Sequence, residues 1–487
     1  MQVSTAINPQ PVNSLPQSTK TPCYPMLGLV STVVGGGLSI GFIPADPGPR
    51  GALFLPSLMM VIGLAIAPVA AAIRDPKALL RGEHLLVLAP IYWLLFDLLQ
   101  GSYSMGTIQR GEVGMAFAAI GVFVSAVWIS AFFRAWKAPG AIVRTVSREF
   151  SPNIYFALTV AAFVIGILKF AVACDFDPAT MFYYVGQMRW AAPWVRDSLG
   201  GWDAFLDHMQ YFGYLLPALT VVLARRAGWR NWRTVAAFAL TLVMAMFLAQ
   251  DGGRRIIGVT FGMAIVLWIL TQPKIRVRHV VIVGVAAACV LAVMQLMLEY
   301  RDVGLAALTD DETSAEVYKP DSIRVDDNFY RLCQIINFIP QSHPYVYEKY
   351  VVYVLVRPIP RVFWPGKPED PGFDLAAALG DKNVSYSSSV IGELFMSAGF
   401  FGIALGGWLY GRLSSMADQL LTETTTMGGY LVYSAMVMAL FAGMRSMVEL
   451  VLMNYVVLAW TLLSWLYLRF KRRRGRRYSA RHEFATR

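Results

Sequence analysis

Twelve apolar segments constrain the fold of this chain more than any other feature of its sequence. Each approaches or reaches the roughly 17–25 helical residues that cross the hydrocarbon core of a bilayer. Charged residues make up only 15% of the chain, whereas a soluble globular protein carries about 25%. The sequence therefore predicts an all-α polytopic integral membrane protein and excludes a cytosolic enzyme or a secreted disulfide scaffold. The predicted spans are 27–43, 52–73, 84–100, 113–135, 154–173, 209–224, 234–250, 256–272, 278–298, 390–411, 429–447 and 450–468.

The basic residues predict which ends of these spans face the cytoplasm, because Lys and Arg accumulate in cytoplasmic loops. With the N-terminus inside, the short inside loops carry fifteen Lys and Arg and the short outside loops carry five. The basic tail then also lies inside, where anionic lipid favours it. Its location accounts for much of the net charge of +11, so we expect no nucleic-acid partner.

A large outer loop follows the ninth predicted span. It contains fourteen carboxylates and nine bases, and its stretches 328–339 and 345–363 mix aromatic and aliphatic residues with charges, as interfacial helices do. Two interpretations stay open: a folded cap that packs on the bundle, or a mobile lid over an outer site. The predicted regions are a polar cytoplasmic N-terminus 1–26, spans 27–298, the loop 299–388, spans 389–468 and a basic cytoplasmic tail 469–487.

Ionisable residues of the predicted spans collect at the outer ends, and the span interiors are nearly free of charge. Arg254 and Arg255 occupy a tight outer turn against the positive-inside trend, and Arg445 lies near the end of the eleventh span. Guanidinium groups bind phosphate oxygens through paired hydrogen bonds, so the pattern predicts an anionic ligand at the outer interface. Alternatively, the arginines only join helices by pairing with carboxylates; the candidate partners are Asp251, Glu299, Glu393 and Glu449.

Three short segments carry motifs. Residues 359–368 read Ile-Pro-Arg-Val-Phe-Trp-Pro-Gly-Lys-Pro, residues 389–395 read Ser-Val-Ile-Gly-Glu-Leu-Phe, and the turn at 252–255 reads Gly-Gly-Arg-Arg. The first resembles the PR-x-x-WP-x-KP stretch of the Wzy-type polymerases of bacterial polysaccharide repeat units. The second resembles the Gly-Glu segment of that family, and the third is similar to its Gly/Ser-Arg turn.

The resemblance implies a glycosyltransferase on the outer face of the bacterial plasma (inner) membrane. Such enzymes transfer a growing glycan from an undecaprenyl-diphosphate carrier to another lipid-linked repeat unit during O-antigen, capsule or exopolysaccharide synthesis. No cofactor, nucleotide sugar or metal is expected. The implied partners are the lipid-linked donor and acceptor, the bilayer and, as a candidate, a chain-length regulator.

This chemistry needs cations for the leaving lipid diphosphate and a base for the acceptor hydroxyl. Glu393 is the first candidate base because it begins a span at the outer face, and His343 in the large loop is the second. The residues assigned to the diphosphate are Arg254, Arg255, Arg445, Arg361 and Arg357.

The sequence leaves other functions open. A ligase would move the finished glycan to a different acceptor, and a flippase would carry the lipid-linked unit across the membrane. A flippase is expected to have charges at mid-depth and two related halves, which the sequence does not display. A structural subunit would not need the arginines. Whether Cys174 and Cys333, both predicted outside, form a disulfide is also open.

Overall fold

A computed structural model describes residues 23–195, 203–252, 254–300, 302–304, 307, 320–357, 359–360, 363–368, 370–381 and 386–485. Helical residues make up about 73% of the structure, and no strand occurs in the described ranges. This confirms the predicted helical class. The helices are α1 Pro25–Gly41, α2 Phe54–Arg74, α3 Gly82–Leu99, α4 Arg110–Ser130, α5 Gly140–Val146, α6 Pro152–Ala173, α7 Pro178–Val185, α8 Asp203–Gly213, α9 Leu216–Ala227, α10 Trp232–Gly252, α11 Arg254–Leu270, α12 Val277–Glu299, α13 Asn328–Phe338, α14 Glu348–Val356, α15 Leu375–Leu379, α16 Ser389–Glu423, α17 Met427–Gly443 and α18 Met447–Ala485.

Eight helices of the described chain are long and apolar enough to cross a membrane: α2, α3, α4, α6, α10, α12, α16 and α18. The helices α1 and α17 are apolar but shorter. These helices support a multi-pass membrane protein. The total of twelve spans and the N-in, C-in orientation stay predictions.

Two helices extend well beyond their predicted spans. The helix α16 continues to Glu423, so Arg412, which we expected in a short inside loop, is a buried residue of this helix. Its guanidinium group donates hydrogen bonds to the carbonyl oxygens of Ser130 and Arg134. The helix α18 continues to Ala485 through the basic tail, because Lys and Arg are good helix formers in water.

The buried apolar side chains form two clusters. The first involves α1–α4, α13, α14 and the beginning of α16, and its largest buried side chains include Trp128 and Phe329. The second involves α6 and α8–α11 with much of α17 and α18, and includes Trp194 and Trp460. The helices α16 and α17 contribute to both clusters and so join them.

A break near the beginning of α16 attaches the large loop to the bundle. Gly399 has φ 61° and ψ −144°, which ends the regular helix after Ser397. The carbonyl oxygens of Met396 and Ser397 accept hydrogen bonds from the loop amides of Val346 (2.9 Å) and Tyr347 (3.0 Å). Backbone groups freed in a broken membrane helix need such partners. The break therefore separates a short first segment of α16 from its long remainder and fixes it to the loop.

The loop helices differ in their surroundings. We expected interfacial helices at 328–339 and 345–363. The helix α13 instead packs on α3, α4 and α16 and completely buries Phe329, Leu332 and Cys333, because its apolar face meets protein rather than lipid. The helix α14 exposes part of its apolar surface, including Val352 and Leu355. We call the described part of the loop the cap: its helix α13 packs on the bundle, and its helix α14 leaves apolar surface exposed.

The cysteines are unpaired. All four lie in the described chain, and all four are free thiols. Cys174 is buried in the second apolar cluster and Cys333 in the first, so the two side chains considered for a disulfide occupy different cores.

Candidate functional site

The turn between α10 and α11 and the turn between α17 and α18 bring three arginines to one end of the bundle. Arg254 and Arg255 begin α11, and Arg445 is the second residue after α17. The Nε atom of Arg255 lies 2.9 Å from Oε1 of Glu449 in the first turn of α18, and Nη1 of Arg445 lies 3.8 Å from the same oxygen. Glu449 thus links both turns. We call this region the arginine end.

A segment without regular secondary structure, residues 320–327, crosses the arginine end just before α13; we call it the strap. Asp97 at the end of α3 accepts hydrogen bonds from the backbone amides of Val325 and Asp326, each at 3.0 Å. Nε of Arg445 donates to the side chain of Asp326 at 2.9 Å. Asp97 therefore fixes the strap in the position in which Asp326 meets Arg445.

Arg254 holds the same strap from the side of α11. Its Nη1 donates to the carbonyl oxygen of Arg324 at 2.6 Å, and its Nη2 donates to that of Val325 at 3.2 Å. Arg254 is also close enough to Asp326 and Arg445 to interact electrostatically with both. Arginines from two turns therefore meet around one backbone segment.

Arg445 lies between two carboxylates at the arginine end, Asp326 and Glu449. The side chain of Arg445 is 22% exposed, and that of Glu449 is 6% exposed. Burial opposes the charge of Arg445, but Asp326 and Glu449 outweigh this effect and raise the pKa of its guanidinium group. The group stays ionised, and its carboxylate partners orient it. Arg255 and Arg445 thus pair with carboxylates, as the alternative interpretation of the sequence predicts. Asp326, however, was not among the expected partners.

Glu393 lies in the first segment of α16 and is 2% exposed. Its Oε2 accepts a hydrogen bond from the backbone amide of Met447 at 2.6 Å, and the hydroxyl groups of Tyr350 and Ser446 also bond to the carboxyl. Glu393 was one of the alternative ion-pair partners of the arginines; its carboxyl instead accepts hydrogen bonds from the residues that follow Arg445 in the same turn. The Glu393 side chain is therefore fixed to the turn that carries Arg445.

The remaining candidate residues lie elsewhere or outside the described chain. Nδ1 of His343 contacts the carbonyl oxygen of Pro344 at 2.7 Å, and its ring lies edge-on to Phe373 at 5.0 Å. Nη1 of Arg357 donates to the hydroxyl of Tyr353 at 2.6 Å. Neither contact belongs to the arginine end. Arg361 lies outside the described residues.

Sequence reasoning did not give Asp326, Tyr350 or Ser446 a role at this site. Asp326 precedes an amphipathic helix, where an acidic residue ordinarily indicates a helix N-terminus. Its partner Arg445 is 119 residues away in the chain. A pattern of neighbouring residues therefore cannot indicate this contact. Only a signal that couples positions 326 and 445 could have indicated it.

Comparison with known proteins does not identify the chain. It matches no protein-family model, and no curated protein and no solved structure is significantly similar to it. A function is consequently argued from the residues above, and the motif resemblance stays a proposal.

Proposed function

We propose that this protein is a membrane glycosyltransferase that polymerises undecaprenyl-diphosphate-linked oligosaccharide repeat units on the outer face of the bacterial plasma membrane. The observation that carries the proposal is the arginine end. Arg254, Arg255 and Arg445 meet there in a partly buried layer, and the positive-inside count assigns this layer to the outside. Arginines collected against that trend favour an anionic ligand.

The reaction separates a glycan from a lipid diphosphate. A bond forms between the anomeric carbon of the donor glycan and a hydroxyl oxygen of the acceptor sugar. The bond between that carbon and the diphosphate oxygen breaks, and the lipid diphosphate leaves with added negative charge. In this proposal Arg254, Arg255 and Arg445 stabilise that charge, for which preorganised donors are effective. Glu393 accepts the proton of the acceptor hydroxyl.

The carboxylates of the arginine end fit this role as positioning groups. Asp326 and Glu449 hold Arg445 in place, so the guanidinium group is oriented before a ligand binds. An arginine has five N–H donors, and a carboxylate contact engages one or two of them. In the same way, the hydroxyl group of the acceptor sugar would replace the hydroxyl group of Tyr350 or Ser446 as a hydrogen-bond donor to Glu393.

The proposal is tested by glycan length in cells that lack this protein, separated by gel electrophoresis. Polymerisation predicts that long surface glycan collapses to single repeat units and that the intact gene restores it. Long chains that persist on the carrier without reaching their acceptor would indicate a ligase. Lipid-linked units trapped inside the cell would indicate a flippase. Unchanged glycan would reject all three functions.

A further inference from the structure

A long apolar groove lies between α10, α11 and α12. Its volume is about 1020 Å³. On α12 its lining extends from Ile282 to Leu298, a helical distance of about 24 Å at 1.5 Å per residue. The groove is thus nearly as long as the hydrocarbon core of a bilayer, which is roughly 30 Å thick.

The two ends of the groove differ in chemistry. Trp229 and Trp268 line the end near the beginning of α10 and the end of α11. At the arginine end the lining becomes polar, and among the described residues that line the groove the charged side chains are those of Arg189 and Arg254. None of these described lining residues is a carboxylate. Its shape and charge therefore suit a ligand with one long apolar part and one anionic end.

The groove opens sideways between α10 and α12. Of the helices, α12 packs mainly on α11, and its outer surface is exposed, with Val281 at 57% and Val285 at 59%. On the opposite wall Leu242 and Met246 line the groove and are themselves exposed. For a helix bundle in a bilayer, such an opening leads into lipid rather than into water.

We propose that this groove binds the polyprenyl chain of a lipid diphosphate, with the diphosphate at Arg189 and Arg254. The inference builds on the proposed function and adds the place and the route by which the donor lipid enters. Because Arg254 also contacts the strap beside Asp326 and Arg445, a headgroup at Arg254 lies next to the proposed reaction site. The donor reaches the arginine end sideways from the membrane.

Binding here depends on the headgroup. Lipid tails are as apolar as the groove, so transfer of a hydrocarbon chain from bilayer to groove yields little hydrophobic free energy. Packing and the guanidinium–phosphate contacts supply the selectivity. A polyprenol without phosphate is therefore expected to bind far more weakly than the diphosphate.

The test uses two tryptophan substitutions on one helix. Ala286 lines the groove, whereas Ala288 is exposed and does not line it. The full-length protein is reconstituted in vesicles of phosphatidylethanolamine and phosphatidylglycerol with a polyprenyl diphosphate that carries a photoreactive group on its chain. We expect cross-links to α10–α12 in the wild type and in Ala288→Trp, and at least about tenfold fewer, roughly 1.4 kcal/mol of binding free energy, in Ala286→Trp.

A second measurement uses the unsubstituted protein and so does not depend on folding of the variants. Cys289 lines the groove and is exposed, whereas Cys174 and Cys333 are buried. Polyprenyl diphosphate is expected to slow alkylation of Cys289 by a lipid-soluble maleimide, and polyprenol is not. Equal protection by both, or equally effective competition by added phosphatidylglycerol, would overturn the groove assignment.

The groove and the proposed function can fail separately. If Ala286→Trp keeps full cross-linking and full polymer length while Arg445→Ala abolishes polymer, the groove assignment is wrong and the polymerase proposal survives. If the groove binds polyprenyl diphosphate but glycan length is unchanged in cells lacking the protein, the polymerase proposal is wrong. The groove would then serve another reaction of the same lipid.

Discussion

At the scale of single residues, Glu393 best illustrates how the site couples chemistry to structure. Its carboxyl is almost completely buried, and a backbone amide and two hydroxyl groups surround it. Burying a carboxyl is costly unless it is hydrogen-bonded, and these three donors offset that cost. They also tie α16 and the cap helix α14 to the turn of Arg445.

Glu393→Gln tests the proposed base. Glutamine keeps the size of the side chain but cannot take up the proton, so we expect turnover to fall by about 10²-fold or more with little change in KM. Steady-state kinetics with a lipid-linked repeat unit measure the two constants. His343→Ala is the companion variant, expected to be fully active. The opposite pattern would transfer the base role to His343.

At the scale of elements, the sequence predicted neither the strap nor the break in α16. Apolar segments such as α2 and α4 follow from hydropathy alone, because lipid requires every backbone group to be satisfied within the helix. Burial of α13 does not follow, since an amphipathic helix packs equally well on lipid or on protein. The contacts of the strap depend on residues far apart in the chain, as Asp97 and Val325 are.

Asp97→Asn tests the role of the strap. An amide group replaces one carboxylate oxygen, so one of the two backbone amides at 325 and 326 loses its acceptor. Leaving such a buried group unsatisfied costs about 1–3 kcal/mol, measured as a lower unfolding temperature in detergent. Asp321→Asn is the control, since Asp321 forms an exposed pair with Arg50 at the other end of the strap. If both variants lowered the unfolding temperature equally, Asp97 would not be the residue that holds the strap in place.

Gly399→Ala tests the break in α16. At φ 61° and ψ −144° a side chain is strained, typically by about 1–3 kcal/mol, and a Cβ would also lie 2.9 Å from the Tyr345 hydroxyl. Gly37→Ala on α1 is the matched control, because nothing lies within 4 Å of its Cβ position. We expect thermal unfolding of Gly399→Ala alone to shift downward. An unshifted transition would show that the break is not required.

At the scale of the whole molecule, the sequence predicts the membrane class and an end at which charge collects. Both follow from local sequence, because apolar residues favour the bilayer core and charged residues favour its interfaces. Which arginine meets which carboxylate is decided by packing between α11, α17 and the strap. The pairing of Arg445 with Asp326 was therefore found only in the folded chain.

Orientation is tested by cysteine labelling in intact cells. In a Cys289→Ala background, Glu348→Cys places a thiol on the cap, and Gly475→Cys places one in the basic tail. The proposed topology predicts that a membrane-impermeant maleimide modifies position 348 in intact cells and position 475 only after lysis. The reverse result would place the arginine end inside and remove the outer-face reaction.

The central claim is that the arginine end catalyses polymerisation, and the most direct measurement is product length in vesicles. Purified protein is reconstituted with a single lipid-linked repeat unit, and the products are separated by gel. We predict a ladder of polymer for the wild type and for Arg50→Ala, whose pair with Asp321 is exposed. We predict a rate lower by about 10²–10³ for Arg445→Ala, as expected for loss of a transition-state donor. A normal ladder from Arg445→Ala in correctly folded protein would contradict the account.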